Sequence, residues 1–221
     1  CTLIGDSSLS RRPMDRIVVP MSELGIRATS NKGYPPINLI DFKDTKLDNI
    51  TIDLPSAQVK SCIIFSLLGT RKKIRIYEKF QTRNHLELML KSLFKELITV
   101  NEEYIEINPI NCQKMNGFNI EIPGDISSAS YFIVAASLID KSRLVINNLL
   151  LNKSRIGIID SLIKMGANID ISYDKKMNSL NEPTGTVIIN GVKALKAVNI
   201  SPDHIPSMID EIPILSLACA Y

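Results

Sequence analysis

The chain has 221 residues, 45% of them apolar, and its 26 Lys plus Arg against 23 Asp plus Glu leave a formal net charge of +3. That length and apolar share suffice for one large core or two modest ones. So small a basic excess argues against a dedicated nucleic-acid binder, which carries a basic stripe, but a few well-placed arginines are enough to hold small anions.

In chain order, Cys1-Thr2-Leu3-Ile4 reads as a strand-like run, followed by Gly5-Asp6-Ser7-Ser8-Leu9-Ser10-Arg11-Arg12-Pro13 and an amphipathic helix that ends at Leu24-Gly25-Ile26. Pro55-Ser56-Ala57-Gln58 opens an apolar helix. Gly69-Thr70 and the basic run Arg71-Lys72-Lys73 form a solvated turn before a strand at Lys73–Tyr77. After Arg83, residues Leu86, Met89, Leu90, Leu93 and Phe94 recur at helical spacing. Asn108-Pro109 and Asn111-Cys112-Gln113 read as a loop, and Ile122-Pro123-Gly124 as a boundary before a helix opening at Ser127-Ser128-Ala129-Ser130. A strand is expected at Leu144-Val145-Ile146. After Arg155 a helix carries Ile158, Ile159, Leu162 and Ile163 and stops at Gly166. The turn-rich stretch Met177–Gly185 leads to a strand at Thr186–Ile189, whose Asn190-Gly191 sequel signals a hairpin. Asp210-Glu211-Ile212-Pro213 opens the last helix, which runs to Ala220. The chain starts without Met inside one apolar run and stops inside another, so both ends are expected to be cut.

Two markers recur. Arg12, Arg83 and Arg155, each followed by a helix and a strand, lie 71 and 72 residues apart. The helix openings at Ser56 and Ser128 lie 72 apart, with a looser step to Asp210. A period this long exceeds the usual solenoid repeat and predicts small α/β modules packed around shared helices.

Cys1, Cys62, Cys112 and Cys219 form no CxxC pair and only His85 and His204 could join them, so no metal or other cofactor is expected. Cys62 and Cys219 sit in apolar runs and read as buried thiols. This usage suits a reducing compartment, with the cytoplasm as the default location. No apolar run approaches the ~18 residues of a membrane span and no signal peptide is visible, so no membrane partner is expected.

The residues able to do chemistry stand at helix entrances, where unpaired N–H groups and the dipole favour phosphate or carboxylate. Singly, Ser56, Ser127, Ser128, Asp125 and Asp210 each read as helix caps. His85 reads as an exposed or capping residue with a possible view of a substrate, and His204 as a loop residue. Arg155 repeats Arg12 and Arg83 without thereby being placed in a site.

Taken together, the wording is more specific. Gly5–Met14, Pro55–Ser61, Pro123–Ala129 and His204–Pro213 resemble, in order and over nearly the whole chain, the EPSP synthase family of enolpyruvyl transferases. Ser56-Ala57-Gln58 with Thr82-Arg83 resembles the subgroup known for glyphosate-tolerant members more than the commoner Ser-Ser-Gln pattern. The resemblance implies an α/β (α+β) fold: a two-lobed inside-out α/β barrel of repeated βαβαββ units, with residues 1–122 supplying most of one lobe and 123–221 the start of the other, both incomplete.

It further implies transfer of the enolpyruvyl group of phosphoenolpyruvate to the 5-hydroxyl of shikimate 3-phosphate, a step toward chorismate and aromatic amino acids. Arg12 matches the arginine that contacts phosphoenolpyruvate. Ser56, Ala57 and Gln58 match the lining of the shikimate 3-phosphate site, and Arg83 a position near its phosphate or carboxylate. Asp210 matches the family's proton-accepting aspartate. The family's N-terminal Lys-Ser and Arg, its glycine-rich segment and its late Lys-Glu and Arg motifs are absent, so the chain alone is expected to be inactive; the complete enzyme is expected to be a monomer. The alternatives are a UDP-N-acetylglucosamine enolpyruvyl transferase, a non-catalytic α/β binding module, and an RNA-end-modifying enzyme, which the charge and sparse aromatics disfavour.

Overall fold

The computed structural model describes residues 1–43, 45–109 and 117–221; Cys112 and the loop expected at Asn111–Gln113 lie outside the described residues. The chain divides into two compact units, one formed by Cys1–Gln81 with Leu93–Asn116, the other by Thr82–Ser92 with Gly117–Tyr221.

In the first unit, β1 (Thr2–Leu3), α1 (Asp15–Glu23), β2 (Ile26–Asn31) and β3 (Tyr34–Phe42) come first. The strands pair antiparallel in the order β1-β3-β2, with Thr2 opposite Asn38 and Ile26 opposite Phe42. Met14 at the N-cap of α1, Val18 within it, and Ala28 and Ile37 on the strands form a small core under this sheet. Then follow β4 (Asn49–Ile52), α2 (Ala57–Leu68), β5 (Ile74–Glu78), β6 (Ile98–Val100) and β7 (Ile105–Ile107), in a sheet ordered β4-β5-β7-β6. β4 and β5 run parallel because α2 carries the chain back between them; the other pairs are antiparallel. The alternating isoleucines Ile50, Ile52, Ile74 and Ile76 are buried, as are Val59, Ile63, Ile64 and Leu67 of α2.

α3 (His85–Leu93) lies between β5 and β6 in sequence and falls almost wholly within the second unit. That unit continues with α4 (Ile126–Leu138), β8 (Arg143–Leu150), α5 (Gly157–Lys164), β9 (Asn168–Tyr173), β10 (Thr184–Asn190) and α6 (Ile212–Ala220). Its sheet is ordered β8-β10-β9, and Gly124 adds a parallel bridge to Leu149 at the β8 edge. Ile126, Ile133, Leu149, Ile158, Leu162, Val187, Ile189 and Leu215 belong to one buried core. The stop signal at Gly166 is real. With φ at +96° it lets its own N–H bond Ile163 O and the next N–H bond Leu162 O, closing α5.

The period is visible in the topology. Numbering strands within a βαβαββ unit, the middle sheet has the order 1-2-4-3. The third sheet repeats it, with the Gly124 bridge standing first, and the first sheet shows the 2-4-3 portion. The fold is thus mixed α/β, built of one recurring module.

Two expectations need correction. Asn190-Gly191 makes no hairpin, because β10 is the central strand and among the described residues no strand follows it. Gly191 instead turns its N–H to Ser142 O, and a Cβ there would lie 1.7 Å from Ile139 O. Its glycine therefore serves a close backbone approach. Cys219 is exposed rather than buried, since α6 turns Leu215 and Ala218 inward and leaves Cys219 outside. Cys62 is half-buried, and burial raises its thiol above the ordinary value against a hydrogen bond with Ser66.

Candidate active site

The expected substrate-binding residues of the first unit sit on two short frameworks. Asp6 accepts a hydrogen bond from Leu9 N at 2.7 Å and starts the 3-10 turn Leu9–Arg11. Arg12 follows with extended backbone (φ −91°, ψ 134°), the conformation that Pro13 imposes on the residue before it. Its guanidinium is presented on an exposed residue.

Ser56 is the N-cap of α2, its hydroxyl accepting from Val59 N at a long 3.4 Å. Capping therefore leaves the Ser56 O–H able to donate elsewhere. Ala57 and Gln58 occupy the first turn, where backbone N–H groups lack helical partners, and Gln58 is exposed. One turn on, Lys60 is 1% exposed and its Nζ meets Glu78 of β5 at 3.1 Å, fastening this helix entrance to the sheet.

In the second unit Arg83 and Asp210, 127 residues apart, come together: Arg83 Nη2 donates to Asp210 Oδ2 at 2.6 Å. Arg155 approaches the same oxygen, its Nη1 at 3.7 Å. The two carboxylate-facing guanidiniums are not equivalent. Arg155 keeps 12% of its side chain exposed and Arg83 22%, while Asp210 keeps 54%. Asp210 does not cap α6. It lies in the 3-10 turn Ile209–Glu211, Glu211 holds the N-cap position, and no side chain makes a cap bond there. The proline after Ile212 and the preceding turn start the helix without one.

Arg155 also reaches back to the entrance of α4. Its Nη2 donates to Asp125 Oδ1 at 3.1 Å and to the Ser127 hydroxyl. Ser127 in turn donates to Oε1 of the buried Glu211, which stands 4.0 Å from Arg155. Asp125 is the N-cap of α4, accepting from Ser128 N at 2.8 Å. Burial opposes its charge. The backbone and hydroxyl of Ser128, the backbone of Ser127 and the Arg155 guanidinium outweigh it and hold the carboxyl below the usual range.

The 72-residue step from Arg83 to Arg155 was the available signal for this hub, but a repeat marks equivalent places in a module, whereas the pairing with Asp210 is a fact of tertiary folding. His85 also differs from expectation. At the start of α3, its Nδ1 lies 2.6 Å from Oε1 of Glu182, a buried carboxylate that also accepts from Asn152 at 2.8 Å. Asn152 bonds Asn84 at 2.9 Å, so the residues after Arg83 are anchored to the segments that follow β8 and precede β10. His204 lies in the 3-10 turn Pro202–Ser207. The basic run of the first unit is a turn whose Lys72 pairs with Asp48 and whose Lys73 pairs with Glu106.

Among the described residues no group of three His, Cys, Asp or Glu could hold a metal ion, and no helix is long and apolar enough to cross a membrane. A cavity bordered by Leu138, Met165, Val198, Ala218 and Cys219 shares no residue with the Asp210 cluster.

A repeated α/β module whose helix entrances present polar groups, with a half-exposed carboxylate held by two arginines, is suited to proton transfer beside an anionic ligand. The family model for EPSP synthase (3-phosphoshikimate 1-carboxyvinyltransferase) matches residues 1–221. The 3-phosphoshikimate 1-carboxyvinyltransferase of Oenococcus oeni is 42% identical over 219 residues, covering 99% of this chain and 48% of that protein. That of Streptococcus uberis is 40% identical over 215 residues, covering 96% of this chain and 48% of the relative. Among solved structures, EPSP synthase from Acinetobacter baumannii superposes with a TM-score of 0.81 at 33% identity, over 99% of this chain and 49% of that one. The enolpyruvyl transferase NikO from Streptomyces tendae, at 16% identity and a TM-score of 0.73, shares the fold.

The chain belongs to the EPSP synthase family. It spans about half the length of the curated relatives it matches.

Proposed function

We propose that this chain forms part of an enzyme that transfers the enolpyruvyl group of phosphoenolpyruvate to the 5-hydroxyl of shikimate 3-phosphate. The observation that carries the reading is the Asp210 carboxylate, half-exposed and held by Arg83 and Arg155, at a position whose surrounding wording matches the family's proton acceptor. In the first step the 5-hydroxyl oxygen attacks C2 of the enol as its proton passes to Asp210, and the methylene carbon takes up a proton. The tetrahedral adduct then loses a proton from the new methyl group as the C2–O bond to phosphate breaks, restoring the enol ether and releasing phosphate.

Arg12 supplies a planar fork for phosphoenolpyruvate, while Ser56, Ala57 and Gln58 contribute hydroxyl, backbone and amide contacts to shikimate 3-phosphate. Arg83 turns toward its phosphate or carboxylate. In the Asp210 cluster the carboxylates of Asp125, Asp210 and Glu211 outnumber the guanidiniums of Arg83 and Arg155, so that cluster suits a base better than an anion cage. Neutralising two anionic substrates falls to Arg12 and to cations elsewhere in the complete enzyme. The lobe assignment follows the family, with residues 1–122 in one lobe and 123–221 in the other; the complete enzyme is read as a cytoplasmic monomer.

The test is phosphate release by the complete enzyme containing this segment, with phosphoenolpyruvate and either shikimate 3-phosphate or UDP-N-acetylglucosamine. Release with shikimate 3-phosphate alone supports the reading. Release with the UDP-sugar alone replaces the acceptor, and silence with both makes the protein a non-catalytic relative.

A further inference from the structure

Resting on that reading of Asp210, we infer that Arg155 is the positioning residue for the proton-accepting carboxylate, staying on it while Arg83 exchanges between Asp210 and a substrate anion. The two arginines differ in how they are held. Arg155 is largely buried, and its Nη2 is tied to Asp125 Oδ1 at 3.1 Å and to the Ser127 hydroxyl. The Ser127 hydroxyl is itself spent on Glu211, which is 1% exposed. Both anchors belong to the entrance of α4, a thirteen-residue helix whose buried face is part of the unit's core. Arg155 therefore has acceptors that no substrate needs to displace. Arg83 is more exposed and spans to Asp210 from the segment before α3.

The consequence is geometric. Asp210 and Glu211 are consecutive residues of one 3-10 turn, and Arg155 faces both, with Nη1 3.7 Å from Asp210 Oδ2 and Nη2 4.0 Å from Glu211 Oε1. If Asp210 were held by Arg83 alone, an anion drawing that guanidinium away would release the carboxylate, or drag it along. A second guanidinium braced on Asp125 keeps the carboxylate in place when Arg83 leaves. It also offsets the mutual repulsion of Asp125, Asp210 and Glu211. Arg155 touches no reacting atom in this scheme and acts through Asp210.

The test is steady-state kinetics of the complete enzyme with phosphoenolpyruvate and shikimate 3-phosphate, using Arg155→Gln, Arg155→Lys, Asp210→Asn and the double variant Arg155→Gln/Asp210→Asn. Misplacing a catalytic group by about 1 Å costs on the order of 100-fold. Arg155→Gln is therefore expected to lower kcat by about that factor, with KM for both substrates near wild type. Unchanged KM values also report an intact fold. Arg155→Lys keeps the charge without the fork and is expected to recover part of the loss. In the Asp210→Asn background, Arg155→Gln is expected to cost nothing further, because its only route to the reaction is already gone.

A rise in KM for either substrate would make Arg155 a direct ligand and overturn the inference. So would a full additional loss in the double variant, the mark of a merely structural role. Full activity of Arg155→Gln beside an impaired Asp210→Asn removes the inference and leaves the base assignment standing. Full activity of Asp210→Asn removes both.

Discussion

Lys60 and Glu78 offer the sharpest test of how the first unit is held together, because their burial is unequal. The Lys60 side chain is 1% exposed and that of Glu78 15%, with Nζ 3.1 Å from the carboxylate. Glu78→Gln leaves the buried ammonium facing a neutral amide in place of its carboxylate, and breaking a buried pair costs up to about 3–5 kcal/mol. Lys60→Met leaves a carboxylate that can turn partly to water, so the cost falls toward the ~1–3 kcal/mol of one weakened polar contact. Replacing both, as Lys60→Met with Glu78→Leu, removes two desolvation penalties together and is expected to be close to neutral.

Urea unfolding followed by far-UV circular dichroism reads all three variants. With a slope of about 2 kcal/mol per molar, the midpoint of Glu78→Gln should fall by roughly 1.5–2.5 M and that of Lys60→Met by at most about 1.5 M. Equal losses, or a larger loss for Lys60→Met, would refute the argument from unequal burial. A double variant as damaged as Glu78→Gln would refute the pair as the cause.

Asp125→Asn keeps a good helix cap while removing the charge. The folded-state carboxyl lies below its unfolded value, so its contribution to stability is present above about pH 4 and is lost as the pH falls through the folded value. The variant should accordingly be less stable near neutrality, and the gap should close on acidification; a gap constant from pH 7 to pH 3 would contradict this. Glu106, lowered by hydrogen bonds from Lys73 and then Arg75, gives Glu106→Gln the same direction of pH dependence. Brief alkylation at neutral pH read by mass spectrometry should label exposed Cys1 and Cys219 before half-buried Cys62, whose thiol is raised by burial; preferential labelling of Cys62 would sink the burial argument. Gly191→Ala sets a Cβ against the Ile139 carbonyl and should lower stability by about 1–3 kcal/mol in the same urea assay, with an unchanged midpoint showing that the approach relaxes freely.

The module was legible in the sequence because its signals are local and repeated. Apolar spacing marked α3 and α5, Gly166 marked the end of α5, and Arg12, Arg83 and Arg155 marked the period. Signals that depend on partners misled. Asn190-Gly191 has the composition of a hairpin turn, but its neighbours are the backbone of Ile139 and Ser142. Cys219 stands in an apolar run, yet α6 buries only one stripe of that run. His85 could not be matched to Glu182, nor Arg155 to Asp210, because 97 and 55 residues separate the partners and nothing in local spacing encodes such pairs.

The strand pairings carry a consequence for how the protein is made. Among the described residues, every strand pairs within its own module: β1 to β3 close by Phe42, β4 to β7 by Ile107, and β8 to β10 by Asn190. No ladder among the described residues waits for a strand from a later module, so the entropy of closing each of these sheets is spent over short stretches of chain. During synthesis each of these sheets can zip as soon as its own residues leave the ribosome.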